Sequence, residues 1–391
     1  MEAPKRVLLI LEVSREHGRG IARGIRRYSD QNAHWWLICE NRQLFEQHPH
    51  LLLRWQGDGI ISRSGSPALS RAIAATGIPA VELYRDGPSE VESDGFAVGQ
   101  MAAEHFIERG YQEYAYYAPW TNWWIQWRLE GYLKPLQERG FSVSIFPGIN
   151  RKRNRSQALW EEKSLHELID WLQSLPRPCC IYAPTDVLAS HVLNGCAVAG
   201  INVPEELSVL GNDDDTFLCS FTFPSLSSIP LNSSRLGFEA AHLLDRRMNG
   251  TADSVKLPIL IPPVEVVTRH STDTIAVPDE DVVAALHYIR ENATTNLLIT
   301  DVVSHVGISQ RNLQRRFQKW LGHSLNEELM TTRLKLAKKL LLDSILSVDQ
   351  IARRTGFQTS RYFIHIFRSK CNMTPKQYRL LHRVSGLRSS E

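Results

Sequence analysis

Two groups of residues in this 391-residue chain have types and spacings that suit recognition chemistry. Towards the C-terminus, Arg311, Gln314, Arg315 and Gln318 fall opposite Leu313 and Phe317 on a helical period, and Arg361, His365 and Arg368 fall opposite Phe363 and Phe367. Guanidinium and amide groups projecting from a helix match the hydrogen-bonding edges of guanine and adenine in the major groove; taken singly, each is also an ordinary solvated surface residue. In the first 270 residues, polar and aromatic side chains cluster just after short apolar runs: Glu12-Val-Ser14 with Arg19, Arg63, Arg85-Asp86, Trp120-Thr-Asn-Trp-Trp124 with Arg128, Thr185-Asp186, and Asn212-Asp213-Asp214-Asp215. Carboxylate, amide and guanidinium groups bind the hydroxyls of a neutral polyol, and an aromatic face packs on its C–H surface. The run Asp213–Asp215 also suits a Ca²⁺ or Mg²⁺ site or a plain turn, although its spacing fits no standard calcium loop. Trp123 and Trp124 suit a stacking platform or a core. Adjacent Asp213 and Asp214 point apart along a chain, poor geometry for a paired general acid and base. With no G-x-S-x-G, phosphate-cradling glycine loop or histidine doublet, the chain reads as a binding protein, not an enzyme, with no cofactor and no metal.

The elements that must carry these residues are of two kinds. Apolar runs at Val7–Leu11, Trp36–Cys39, Gly59–Ile61, Ala80–Leu83, Tyr114–Ala118, Val143–Phe146, Cys180–Ala183 and Ser208–Gly211 alternate with helical stretches such as Gly20–Tyr28 and Phe96–Arg109. This alternation predicts an α/β domain of parallel sheets, which binds ligands beyond the carboxyl ends of its strands. After the polar stretch from His270 no strand pattern remains, and seven helices are expected. Asp279–Asp281 opens the first, Thr300 caps the second and Ser309 the third. Ser324…Glu327 and Ser347…Gln350 form capping boxes, and Thr374-Pro375 starts the seventh. Two helix-turn-helix units result, turning at Gly307 and Gly356, with a long helix near Leu325–Leu342 between them. The expected domains are a sensor over 1–270, a linker over 271–283 and a DNA-binding domain over 284–391.

Charge divides the chain in the same way. From Ala284 onward there are 18 Lys+Arg against 7 Asp+Glu, a net +11, while the rest carries −8. A basic module on an acidic one predicts that the tail alone meets a polyanion, with Lys335, Lys338, Lys339, Arg353 and Arg354 on phosphates. The six scattered cysteines include no C-x-x-C and read as small buried hydrophobes. With no bilayer-length apolar run and no secretory signal, the expected location is cytoplasmic, away from membranes.

Beyond this reading of the residues, the tail resembles the AraC/XylS family of transcription activators over Ala284–Arg379. The resemblance rests on Arg333-Leu-Lys-Leu-Ala-Lys-Lys-Leu-Leu-Leu, Ser347-Val-Asp-Gln-Ile-Ala-Arg-Arg-Thr-Gly-Phe357, Tyr362-Phe363 through Phe367, and Thr374-Pro-Lys-Gln-Tyr-Arg379. It implies that Arg311, Gln314 and Arg315 belong to the first reading helix, and Arg361 and His365 to the second; His365 departs from the commoner arginine or small polar residue. Pro184-Thr-Asp186, Ala199-Gly-Ile-Asn-Val-Pro204, Leu207-Ser-Val-Leu-Gly-Asn-Asp-Asp214 and Pro224-Ser-Leu-Ser-Ser-Ile229 resemble the effector domain of LacI-type repressors, which is related to periplasmic sugar-binding proteins. That implies a two-lobed periplasmic-binding-protein-like sensor in which Arg128, of an Arg-x-x-Gly-Tyr pattern, and Asp213 contact the sugar. Asp186 matches the acidic residue of an Asn-Asp motif whose asparagine is here Thr185. The resemblance to LacI proteins begins at the first strand, so their N-terminal helix-turn-helix is not expected here. A LacI-like sensor ahead of an AraC-type tail, with Gly57-Asp-Gly-Ile-Ile, Pro262-Pro-Val-Glu-Val and Ala285-Leu-His-Tyr-Ile-Arg290, resembles activators of xylose operons along nearly the whole chain. The implied protein is a homodimeric, sugar-responsive activator of pentose catabolism genes. Its partners are double-stranded operator DNA, a small sugar such as xylose and, for activation, RNA polymerase. Its expected effector contacts are Asp213, Arg128, Asp186, Asp214, Ser14, Arg19 and Trp124; whether the tryptophan-rich loop Trp120–Trp127 lines the pocket is left open by the sequence.

Overall fold

The computed structural model describes residues 3–84, 89–150, 161–251 and 258–382; Arg85 and Asp86 lie outside them. The chain forms two compact units, Met1–Phe106 with Gln112–Thr274, and Ile107–Tyr111 with Ile275–Glu391.

Among its described residues the first unit contains two large parallel α/β sheets and a two-stranded parallel one, Val91–Ser93 with Ile259–Ile261. In one, Arg6–Leu11 lies between Trp36–Asn41 and Gly59–Ser62, with Ala80–Glu82 at the edge. Val7 to Leu11 form an unbroken apolar run because both faces of this sheet are covered. Val7, Leu9 and Leu11 pack with Ile21, Ile25 and Leu244 on one side, while Leu8 and Ile10 pack with Leu52, Leu69 and Ile73 on the other. The second sheet runs Ser227–Ile229, Leu207–Asn212, Cys179–Tyr182, Glu113–Tyr116, Val143–Ile145, all parallel. Its core gathers Ile181, Leu188, Val192 and Val209 with the buried thiols of Cys179, Cys196 and Cys219. Every strand expected from the sequence is present. Three further strands, Val91–Ser93, Ser227–Ile229 and Ile259–Ile261, have three residues each, too few to show a period.

The helix Glu16–Tyr28 lies against Ser233–Met248 at glycine contacts. A Cβ on Gly24 would come within 2.0 Å of the Ser234 carbonyl, and one on Gly237 within 2.1 Å of that of Ile21. This close approach fixes the turn Glu12–His17, at the end of the first strand, beside Leu231 and Leu236.

The second unit is helical: Glu280–Asn292, Ile299–Val306, Gln310–Leu321, Leu325–Asp343, Val348–Arg354, Ser360–Cys371 and Pro375–His382. The start signals act as expected at Asp279, Ser309, Ser324 and Ser347, each side chain accepting an amide of its first turn. Thr300 is the exception. Its helix starts one residue earlier at Ile299, and the Asp301 carboxylate accepts the Leu298 amide at 2.9 Å. The stretch 271–283 is not a free connector: Ser271 and Thr272 are fully buried in the first unit, and Val277 joins the core of the second.

Candidate effector cavity and nucleic-acid interface

A cavity of about 370 Å³ opens among the residues that follow the strand ends of the first unit, at the lower end of the usual small-molecule range of roughly 300–1,000 Å³. Four strands of the first sheet deliver their next residues to this wall: Glu12 and Ser14 after the first strand, Arg42 after the second, Arg63 after the third and Tyr84 after the fourth. Thr185 and Asp186 follow Cys179–Tyr182, and Asp213 follows Leu207–Asn212.

Arg128 and Trp124 lie on the helix Trp123–Gln137, which Asn122 starts by accepting the Ile125 amide at 3.0 Å. The four-residue separation brings them onto one face. The Arg128 guanidinium sits 4.8 Å from the Trp124 ring centroid, donates to the Pro184 carbonyl and is buried. The tryptophan-rich stretch expected as a loop is therefore helical from Trp123 on. Trp124 and Trp127 border the cavity, while Trp123 does not and instead has its ring 6.1 Å from that of Trp127.

Asp213 has φ +113° and Asp214 φ +50°, on the side of backbone space that strains residues with a Cβ. Three amides in a row hold this turn. That of Asp213 donates to the Ile229 carbonyl at 3.0 Å, that of Asp214 to the Ser228 hydroxyl at 3.0 Å, and that of Asp215 to the Asp186 carboxylate at 2.8 Å. The strain sends the three carboxylates in different directions. Asp213 enters the cavity. Asp214 turns out of it to pair with Arg269 at 2.8 Å. Asp215 caps the next helix at the Leu218 amide and also accepts from the Glu16 amide at 3.1 Å.

Two further expected contacts are placed differently from the sequence reading. Asp186 borders the cavity, but the residue is 1% exposed and both carboxylate oxygens are engaged, by the Ser228 hydroxyl and the Asp215 amide. Arg19 stands outside the wall and clasps the turn, donating to the Ser14 carbonyl at 2.6 Å and pairing with Glu16 at 3.2 Å. Ser14 does line the cavity, with its amide donating to Glu12 at 3.0 Å.

The charge state of the wall follows from burial. Burial raises the Asp213 carboxyl, against the pull of the Arg128 and Arg63 cations. It raises Asp186 well above the carboxylate range, helped by the nearby Asp213 charge. Glu92 is pushed up to about 7 by burial, with the Ser89 amide and the two arginines pulling back. His17 is held well below its ordinary value by burial and by Arg63 and Arg128, so it is neutral; its Nδ1 lies 2.6 Å from the Ser233 hydroxyl. Arg15, His17, Arg42, Tyr84, Glu92 and Trp127 were not among the residues expected. The available signal was position, since all but Glu92 and Trp127 fall just after a strand or at the helix start that follows one.

In the helical unit, Leu313, Phe317 and Leu321 of Gln310–Leu321 are buried, and Arg311, Arg315 and Gln318 are exposed, with Gln314 half-buried. Phe363 and Phe367 of Ser360–Cys371 are buried, and Arg361, His365 and Arg368 are exposed. The turns before these helices place Gly307 at φ +79° and Gly356 at φ +78°, values that glycine adopts without strain. At Gly356 a Cβ would also lie 2.3 Å from the Ala293 carbonyl. Arg333 is structural: it is buried and donates to the Ala293 carbonyl at 2.8 Å and that of Thr295 at 3.0 Å. Arg379 likewise donates to the Leu341 carbonyl at 3.2 Å. Of the residues expected at phosphates, Arg353, Arg354 and Lys339 are exposed, while Lys335 is paired with Glu108 and Lys338 lies 6.0 Å from the Tyr378 ring centroid.

Comparison with known proteins adds to this geometry. Residues 103–272 match a family described as periplasmic binding protein-like domain, and residues 302–380 one described as helix-turn-helix domain. The chain is 29% identical to the xylose operon regulatory protein of Haemophilus influenzae over 96% of its own length and 98% of the relative's. It is 28% identical to that of Escherichia coli K12, over 96% of both. It is a transcription regulator. Among solved structures, the regulator matches the xylose-binding transcription activator xylR with a TM-score of 0.59 and 26% identity, over 98% of this chain and 99% of the other. Its sensor also shares the fold of a periplasmic binding protein/LacI transcriptional regulator from Alkaliphilus metalliredigens, crystallised with D-xylulofuranose (TM-score 0.54, 19% identity, 70% of this chain and 100% of the other). Among the described residues no helix of the regulator is long and apolar enough to cross a membrane.

Proposed function

We propose that the cavity is the effector site and that it takes a pentose-sized sugar, with D-xylose the first candidate given the names of the relatives. The observation that carries this reading is a small cavity lined by both Arg128, stacked on Trp124, and the strained Asp213, whose charge feels that of Arg128. A carboxylate and a guanidinium together accept from and donate to a vicinal diol, while an indole covers the sugar's C–H face. Asp213, Arg128, Trp124 and Ser14 contact the sugar directly. Asp186 and Arg19 act through the turns that they brace, and Asp214 acts through Arg269.

Operator DNA is read by Arg311, Gln314, Arg315 and Gln318 in one major groove and by Arg361, His365 and Arg368 in the next, with Arg353, Arg354 and Lys339 on phosphates. The regulator works as a cytoplasmic homodimer. Sugar favours a closed sensor only by its preference for that form, and the closed form favours the DNA arrangement that recruits RNA polymerase. A thermal-shift panel of pentoses and hexoses tests the sensor half. A ligand at 100-fold over its Kd stabilises the folded chain by ~2.7 kcal/mol, so D-xylose is expected to raise Tm by several degrees. A panel in which no sugar changes Tm removes the sugar reading.

A further inference from the structure

The sensor cavity holds one charged group that no described residue engages by a hydrogen bond or an ion pair. Arg63 follows the strand Gly59–Ser62 and lines the cavity. Its amide donates to the Ile10 carbonyl at 2.9 Å, which fixes its backbone. Its guanidinium sits 5.4 Å from the Tyr84 ring centroid, and the room for that ring exists because residue 65 is glycine: a Cβ there would come within 2.5 Å of it. The side chain is thus braced, yet it makes no hydrogen bond and no ion pair with a described residue.

The other charges around the cavity are largely matched. Glu16 pairs with Arg19 and Arg23, and Glu12 takes the Ser14 amide and faces Arg42 and Arg15. The Asp215 carboxylate serves the Glu16 and Leu218 amides, and Asp186 serves Ser228 and Asp215. That leaves two guanidinium groups, Arg63 and Arg128, facing Asp213, with Glu92 as the remaining carboxyl. Burial pushes Glu92 up to about 7 and so weakens it as a counter-charge. Burial and the neighbouring cations Arg42 and Arg128 bring Arg63 down to about 10, against the opposing pull of Asp213. Arg63 is half-buried and shares Asp213 with Arg128, an incomplete charge match that is unfavourable, and a planar guanidinium with its nitrogens unengaged is shaped to bind a carboxylate or phosphate through two parallel hydrogen bonds.

We propose that Arg63 is a specificity-determining residue of the effector site and that, among the sugars the cavity takes, one carrying an anionic group seated on Arg63 binds more tightly than D-xylose. This rests on the reading of the cavity as a sugar site and narrows it: the sugar's diol lies at Asp213 and Arg128, and its acidic substituent at Arg63. A sugar acid and a sugar phosphate share that chemistry.

Isothermal titration of the full-length protein with D-xylose, D-xylonate, D-glucuronate and α-D-xylose 1-phosphate, with sodium acetate and inorganic phosphate as bare-anion controls, tests it. At least one acidic sugar is expected to bind on the order of 10- to 100-fold more tightly than D-xylose, the range for hydrogen bonds to a charged partner, and more tightly than either bare anion. The carboxylate and phosphate arms tell the two sources apart. In Arg63→Met the preference for the acidic over the neutral sugar falls to near one, and in Arg63→Lys part of it returns. Unchanged Tm of both ligand-free variants establishes that they fold. If D-xylose binds as tightly as every acidic sugar, or if Arg63→Met weakens both classes in proportion, Arg63 is not an anion seat and the sugar reading stands. Absence of binding by any sugar, with DNA binding intact, overturns both.

Discussion

The sensor cavity and the two outward helix faces place their recognition residues in opposite ways. In the cavity the polar groups are gathered from strand ends far apart in sequence, and most of them are buried or half-buried and engaged with one another. On the helices Arg311, Arg315 and Gln318 come from one segment of twelve residues, are exposed, and rest on the apolar residues behind them, with Arg315 also donating to Asn312 at 3.3 Å. The comparison teaches that the two halves of the regulator depend on different things. DNA reading depends on a small core that holds an exposed face in position. Ligand reading depends on a network in which moving one group disturbs several.

The largest way to break that comparison is Phe317→Ala. It removes the buried ring behind the first reading face and is expected to cost about 3–5 kcal/mol. Circular dichroism should show loss of the helical unit's transition, and D-xylose should still raise the sensor's Tm. Asp213→Ala acts on the other side. Losing a hydrogen bond from a charged acceptor costs roughly 1.5–3 kcal/mol, so sugar binding should weaken by about 10- to 100-fold in calorimetry while operator affinity without sugar stays within a few fold. Arg315→Ala should weaken operator binding by about 1–3 kcal/mol and relax preference at one base pair; a uniform loss across all duplexes in a gel-shift series would mean a phosphate contact. The smallest effect is Glu92→Gln. The folded chain holds the Glu92 proton to about pH 7, and the unfolded chain loses it in the ordinary carboxylate range. Between those limits the folded state binds the extra proton, and stability falls as pH rises. Denaturant titrations of the parent at pH 5 and pH 8 should differ by roughly 1–2 kcal/mol more than those of Glu92→Gln.

The same contrast governs what could be read from the residues alone. Leu313 with Phe317, and Phe363 with Phe367, mark a buried stripe by their four-residue spacing, so the exposed faces follow from local pattern. Turn glycines at 307 and 356 and the caps at Ser324 and Ser347 fix the boundaries. The strand ends were legible too, and with them Asp213, Arg128 and Trp124. The fate of Asp186, Asp214 and Arg19 was not. A carboxylate after a strand looks the same in sequence whether it faces a cavity, accepts a neighbouring amide or turns away to an arginine 55 residues on, as Asp214 does to Arg269. Glu92 was hidden because its strand, Val91–Ser93, is too short to carry a period. Thr300 misled because the Asp301 carboxylate, reaching back to Leu298, outcompetes a threonine hydroxyl one residue further along.

The central claim is that one chain couples a sugar in the cavity to the grip of two helices on DNA. Fluorescence anisotropy of the full-length protein on duplex from its own upstream region, with and without saturating effector, tests it most directly. The account predicts tight, salt-dependent binding whose Kd shifts by roughly 5- to 150-fold with effector, and no shift in Asp213→Ala. Binding that ignores the effector in the parent protein, or that shifts equally in Asp213→Ala, would contradict it.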